Sequence, residues 1–246
     1  MLRFLQKIMY TALLLLTTVN TQGADGLASK DELYTGKEFS EAFVNPKDNP
    51  SRPNVLLIGD SISIGYTVEV RKLLKGKADV YRIGGNGRDS AHGLKRLEKM
   101  LGKTKYDIIH FNWGLWDLCY RNPKSKTQGH RDKVNGKLTA TPEQYRKNME
   151  GIVAKLKKTG AKLIWCETTP VPEHEAGRKL GDGVVYNTIV EEIIAGKDIS
   201  INRLHGHALK KQTEIQKKNG DVHFSKAGYA YLAEKVAFEI LKGLGN

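Results

Sequence analysis

Between Val55 and Ser63 the chain runs Val-Leu-Leu-Ile-Gly-Asp-Ser-Ile-Ser, an apolar β-run that stops at a glycine and turns polar at once. A short, unbroken apolar run bounded by turn formers fits a strand buried on both faces, the kind that parallel sheets contain. Near the other end, Asp221-Val222-His223-Phe224-Ser225 sets a histidine just ahead of the helical pattern that closes the chain. A serine at the carboxyl end of a parallel strand and a histidine on a late loop is how an α/β sheet brings a nucleophile to its base.

The pattern between these points alternates strand and helix. Strands are expected at Val55–Ile58, Ala78–Ile83, Tyr106–Trp113, Ala161–Glu167 and Ile199–Ile201, and helices near Tyr66–Leu74, Ala91–Leu101, Val184–Ile194 and Gly228–Leu241. A further helix is sharply marked, with Thr141 as cap, Pro142 at its first position, Gln144 completing a capping box and Gly160 beyond its end. Its Met149, Ile152, Val153 and Leu156 fall on one face. Residues 121–140 have no apolar period and read as a long loop at the strand ends, where substrate-shaping insertions sit. Such alternation predicts a doubly wound, three-layer α/β/α domain around a five-stranded parallel sheet, with working groups beyond the carboxyl ends of the strands. That rule gathers Asp60-Ser61, Gly84–Ser90, Asn112–Asp117 and Thr168–Pro172 onto one rim.

Residues 1–23 read as a secretory leader: Arg3 and Lys7 precede a short apolar stretch, and small residues follow at Gly23 and Ala24. An uncleaved anchor is the competing reading. The expected product is periplasmic or secreted, with no stable membrane insertion after cleavage. Residues 24–53, punctuated by Pro46, Pro50 and Pro53, read as an N-terminal extension ahead of a single domain at 54–246. The net charge of +13 favours anionic partners such as acidic polysaccharide, although the lysines scatter over helix faces in the way of solvated surface. No motif for nucleic acid appears. Cys119 and Cys166 lack metal-ligand spacing, and export leaves both a disulfide and two free buried thiols open.

Ser61 is thus the candidate nucleophile, with a following helix whose free N–H groups point at a developing anion. A plain helix-capping serine is its bland alternative. His223 is the candidate base, ahead of His110, which lies in a buried strand, and of His130, His174, His205 and His207, which have no evident acid partner. Taken together, the segments resemble the SGNH/GDSL hydrolases over most of residues 54–242. Gly59-Asp60-Ser61-Ile62-Ser63 is similar to that family's first block, Asn86-Gly87-Arg88-Asp89-Ser90 to its second, and Asp221-Val222-His223-Phe224 to its last. The resemblance implies a flavodoxin-like fold, ester hydrolysis, Ser61 as nucleophile, His223 as base, Gly87 as a backbone donor to the oxyanion, and neither metal nor organic cofactor.

Two departures stand out. The third block usually reads Gly-x-Asn-Asp, but here it is Gly114-Leu115-Trp116-Asp117. If the strand continued, alternation would set residues 112, 114 and 116 on one side, leaving either the Asn112 amide or the Trp116 indole as third donor beside Ser61 and Gly87. The family's acid stands three residues before the histidine, where this chain has Gly220. Asp221 either completes a triad from two residues away or leaves a Ser-His dyad.

Asp60, Trp113, Asp117 and Arg121 are expected to touch substrate across an open polar cleft that Tyr120 helps to line. Export and such a rim favour a carbohydrate ester, with O-acetyl removal the simplest case, or another small-molecule ester. The rivals are a silent carbohydrate-binding protein on the same fold, a thioesterase or general carboxylesterase, and a nucleotide-binding module built on the glycine-rich turn at 85–90, which lacks a third glycine and a ribose acid.

Overall fold

The computed structural model describes residues 30–34 and 36–245. Five strands, β1 (Asn54–Ile58), β2 (Asp79–Arg82), β3 (Ile108–Phe111), β6 (Lys162–Cys166) and β7 (Ser200–Asn202), form one parallel sheet in the order β2-β1-β3-β6-β7. Because parallel neighbours need crossovers, helices cover both faces. On one face α1 (Ser61–Leu73) packs against α7 (Lys226–Leu244); on the other α2 (Ser90–Leu101), α3 (Pro142–Lys157) and α4 (Asp182–Ile194) lie side by side. The α1–α7 approach is close enough that a Cβ at Gly65 would strike the Tyr229 ring. Val55, Leu56, Leu57 and Ile58 are all buried, as a strand covered on both faces requires.

The expected three-layer domain is therefore the observed one, with local corrections. Helix α1 starts at Ser61 rather than Tyr66, because the Asp60 carboxylate accepts the Ile62 N–H at 2.9 Å and caps it. Strand β3 stops at Phe111, and Gly114 at φ 152° belongs to a loop, so no alternation carries 112, 114 and 116 onto one side. The segment 121–140 is not a bare loop. Strands β4 (Tyr120–Arg121) and β5 (Lys137–Leu138) pair antiparallel across it. The capping box of α3 is present on both sides, Gln144 N–H to Thr141 Oγ1 at 3.3 Å and Thr141 N–H to Gln144 Oε1 at 2.9 Å. Two short helices, α5 (Leu204–Leu209) and α6 (Gln212–Ile215), fill the stretch before the His223 loop.

The leader read at 1–23 lies outside the described residues. From residue 30 the segment is no free extension. Two 3-10 turns, Lys30–Leu33 and Lys37–Phe43, lay it across the carboxyl end of the sheet and against α1. Ala42 and Tyr34 are buried, and the Asn45 side chain accepts the Arg82 N–H at 2.8 Å, tying the segment to strand β2.

Candidate active site

Beyond the carboxyl ends of β1, β3 and β6 opens a cleft of about 520 Å3. Ser61, His223 and Asp221 line it. Ser61 Oγ and His223 Nε2 are 3.0 Å apart, and His223 Nδ1 stands 2.7 Å from Asp221 Oδ1. The same carboxylate oxygen accepts the His223 backbone N–H at 3.0 Å, so the loop closes on itself around the imidazole. This two-residue reach works because Gly220 takes φ 72°, a left-handed turn, and lies against the His174 carbonyl where a Cβ would sit at 2.8 Å. Burial alone would raise the Asp221 carboxyl, but the hydrogen bonds and charge of His223 outweigh it and hold it well below the usual carboxylate range.

The Ser61 turn is knitted from below by a residue that sequence reasoning passed over. Arg82, 1% exposed at the end of β2, donates to the Gly59, Asp60, Ile83 and Gly85 carbonyls and to Ser63 Oγ. Burial lowers this guanidinium to about 9. Its only sequence signal was a charged residue in an otherwise buried strand. From the N-terminal segment, Tyr34 stacks on His223 with centroids 4.4 Å apart and planes at 17°, and Phe39 stacks on its other side at 4.1 Å. Burial pushes the Tyr34 phenol up to about 12, so the ring stays neutral beside the imidazole.

No protein-family model and no curated protein matches the chain. Solved structures do. The acetyl xylan esterase AlAXEase superposes with a TM-score of 0.60 at 19% identity, over 76% of this chain and 99% of that one. Axe2, an acetylxylan esterase from Geobacillus stearothermophilus, gives 0.61 at 19% identity over 76% and 94%. The lipase/acylhydrolase from Enterococcus faecalis gives 0.59 at 19% over 76% and 95%. The fold is that of the SGNH/GDSL-like acylhydrolases and esterases.

Within this SGNH-like frame several expected contacts are redistributed. The Gly87 N–H does not face the cleft; it donates to the Gly59 carbonyl at 2.9 Å. Asn112 gives its side-chain amide to the Cys166 carbonyl at 2.7 Å and lines a small cavity with Ser63 and Thr168, away from Ser61. Trp116, by contrast, borders the cleft beside Ser61 and Leu115, and its indole N–H has no hydrogen bond among the described residues. The Ser61 N–H, in the first turn of α1, is likewise uncommitted to a described acceptor.

The expected substrate contacts are corrected more heavily. Trp113 is fully buried and donates its indole N–H to the Gly87 carbonyl at 3.0 Å, holding the second block in place. Asp117 is fully buried and accepts from the N–H and hydroxyl of Ser90, the latter at 2.5 Å. Arg121 is buried too, paired with Glu32 at 3.1 Å, with its guanidinium 5.0 Å above the Trp116 ring. Asp60 does line the cleft, but its carboxylate is engaged as the α1 cap. Physical reason unites the first three: polar tips near a strand end satisfy loop backbone when their rings and stems are drawn into the core. Cys119 and Cys166 are both buried free thiols. Among the described residues no cluster of His, Cys, Asp and Glu is arranged to hold a metal ion, and no helix is long and apolar enough to cross a membrane.

Proposed function

We propose that this chain is an exported carboxylic ester hydrolase that removes O-acyl groups, acetyl above all, from carbohydrate through a serine acyl-enzyme. The observation that carries the reading is the connected line Ser61 Oγ, His223, Asp221 at 3.0 and 2.7 Å inside a cleft. Two acetylxylan esterases among the structures of like fold support the acetyl and carbohydrate part. The leader pattern at residues 1–23 supports a periplasmic or secreted location.

In the reaction His223 takes the Ser61 proton as Oγ attacks the ester carbonyl, and Asp221 holds the Nδ1 proton and stabilises the imidazolium. The Ser61 N–H and the Trp116 indole N–H receive the oxyanion. Collapse breaks the bond to the alcohol oxygen, which leaves with the proton from His223. Water, deprotonated by His223, then attacks the acyl-Ser61 carbonyl; the acyl–Oγ bond breaks, His223 returns the proton to Ser61, and the acid is freed. No cofactor enters this scheme.

The test is hydrolysis of p-nitrophenyl acetate by the leaderless protein, with fluorophosphonate labelling and peptide mapping. Turnover with label on Ser61, both lost in Ser61→Ala, is the expected result. Folded protein that neither hydrolyses nor labels, yet binds glycan, would replace the enzyme by a carbohydrate-binding protein on the same fold.

A further inference from the structure

Two guanidiniums border the cleft and share one carboxylate. Arg178, 4% exposed, donates from Nε to the Leu115 carbonyl at 2.7 Å and from Nη1 to Glu175 Oε1 at 3.0 Å. Arg131 donates from Nε to the Gln128 carbonyl at 3.0 Å and from Nη1 to the same Glu175 Oε1 at 2.8 Å. The second oxygen of Glu175 is taken by the Gly177 N–H at 2.7 Å. One buried carboxylate thus answers two cations. The Nη2 of each arginine has no hydrogen bond among the described residues, and neither is sealed into the interior.

The other charges around the cleft are already committed. Glu32 is paired with Arg121, Asp221 with His223, and Asp60 caps α1 where Arg82 and Arg178 also act on it. Glu38 stands on the exposed rim, as do Lys217 and Lys218. Acidic groups around Arg178 already outweigh its burial and keep it charged, so its open edge is a standing cationic donor whose planar fork fits a carboxylate better than any neutral sugar hydroxyl. Leu115, whose carbonyl anchors Arg178, is the neighbour of Trp116 and lines the cleft with Ser61, so an anion held here lies in the same cleft as the nucleophile. The net charge of +13 favours polyanions as partners of the protein at large.

We propose that the substrate is an ester carried by an acidic sugar, an O-acylated uronic acid residue, with its carboxylate on Arg131 and Arg178 and its acyl carbonyl at Ser61. This rests on the serine-esterase reading and names its substrate class.

The experiment compares kcat/KM on O-acetylated oligouronate and on an O-acetylated neutral oligosaccharide of matched length, with p-nitrophenyl acetate as a third substrate. The acidic ester should be preferred by about tenfold or more, the worth of one charge-assisted hydrogen bond. The preference should shrink in high salt, and Arg178→Gln and Arg131→Gln should bring it to about unity through KM. Equal turnover of acidic and neutral glycan esters by the parent protein would overturn the proposal while leaving the esterase reading intact. Absence of p-nitrophenyl acetate hydrolysis with no Ser61 labelling would sink the esterase reading itself. Where an arginine variant does not fold, inhibition of the parent protein decides instead: unacylated oligouronate should compete at least about tenfold better than its neutral counterpart, and equal inhibition counts against the proposal. A sulfated or phosphorylated neutral sugar ester preferred over the uronate would reassign the anion.

Discussion

Tyr34 lies flat on His223, ring against ring at 4.4 Å, from a segment that stands 189 positions earlier in the chain. Hydrogen bonds at Nδ1 and Nε2 fix the imidazole in its plane; only a neighbour on its face limits tilt. We expect Tyr34→Ala to lower kcat on p-nitrophenyl acetate by about threefold to tenfold, the range of an aromatic pair, and Tyr34→Phe to stay near the parent. Equal losses in both variants would shift the role from the ring to the hydroxyl.

Asp221→Asn should cut kcat by about 10^4 with little change in melting temperature, because the amide leaves His223 in the wrong tautomer. Turnover within tenfold of the parent would make the site a dyad.

Restoring the more usual spacing should fail. Gly220→Asp puts a side chain on a left-handed residue, at φ 72°, and against the His174 carbonyl. The strain of φ alone is about 1–2 kcal/mol, and the loop that carries Asp221 and His223 is displaced. Thermal melting and kcat should both fall.

Trp116→Phe keeps a ring under Arg121 and deletes one N–H. Loss of a single oxyanion donor predicts a drop of about 10^2–10^3 in kcat with KM held. The matching change at Asn112, Asn112→Ala, should act on stability instead, since its amide serves the Cys166 carbonyl.

His110 supplies a pH signature of folding. Buried in β3 with Nε2 facing the Asn202 amide at 3.1 Å, its imidazole is pushed by burial down to about 3. The unfolded chain binds a proton there below about 6.5 while the folded chain does not, so stability falls as pH drops from 6.5 toward 3. The slope is about 1.4 kcal/mol per pH unit from this group, and denaturant melts of His110→Asn should lack that part of it.

The alternation of strand and helix and the Ser61 turn were legible because periodicity, turn chemistry and chain order all point the same way at Val55–Ser63 and Thr141–Gly160. Asp221 was legible as a candidate, but its reach depends on the Gly220 dihedral, which no pattern specifies. Trp113, Asp117 and Arg121 misled for one reason: a polar or amphipathic side chain at a strand end reads alike whether it meets substrate or a polar group of a neighbouring loop. Only packing decides, and here it buries all three. Tyr34 and Arg82 were missed from opposite directions. The first sits in a polar, proline-punctuated stretch with no period, and the second is a charge inside a strand, where propensity carries no information about four backbone carbonyls and a hydroxyl.

Glu32 reaches Arg121 under Trp116, Leu33 and Glu32 offer their carbonyls to the Asn86 amide, and Tyr34 covers His223. One short stretch therefore touches His223, the Arg121–Trp116 pair and the Asn86 turn at once. Loss of those few residues would strip the cleft of a wall. Any cleavage of this chain therefore keeps the cleft whole only where it spares Glu32, Tyr34 and Phe39.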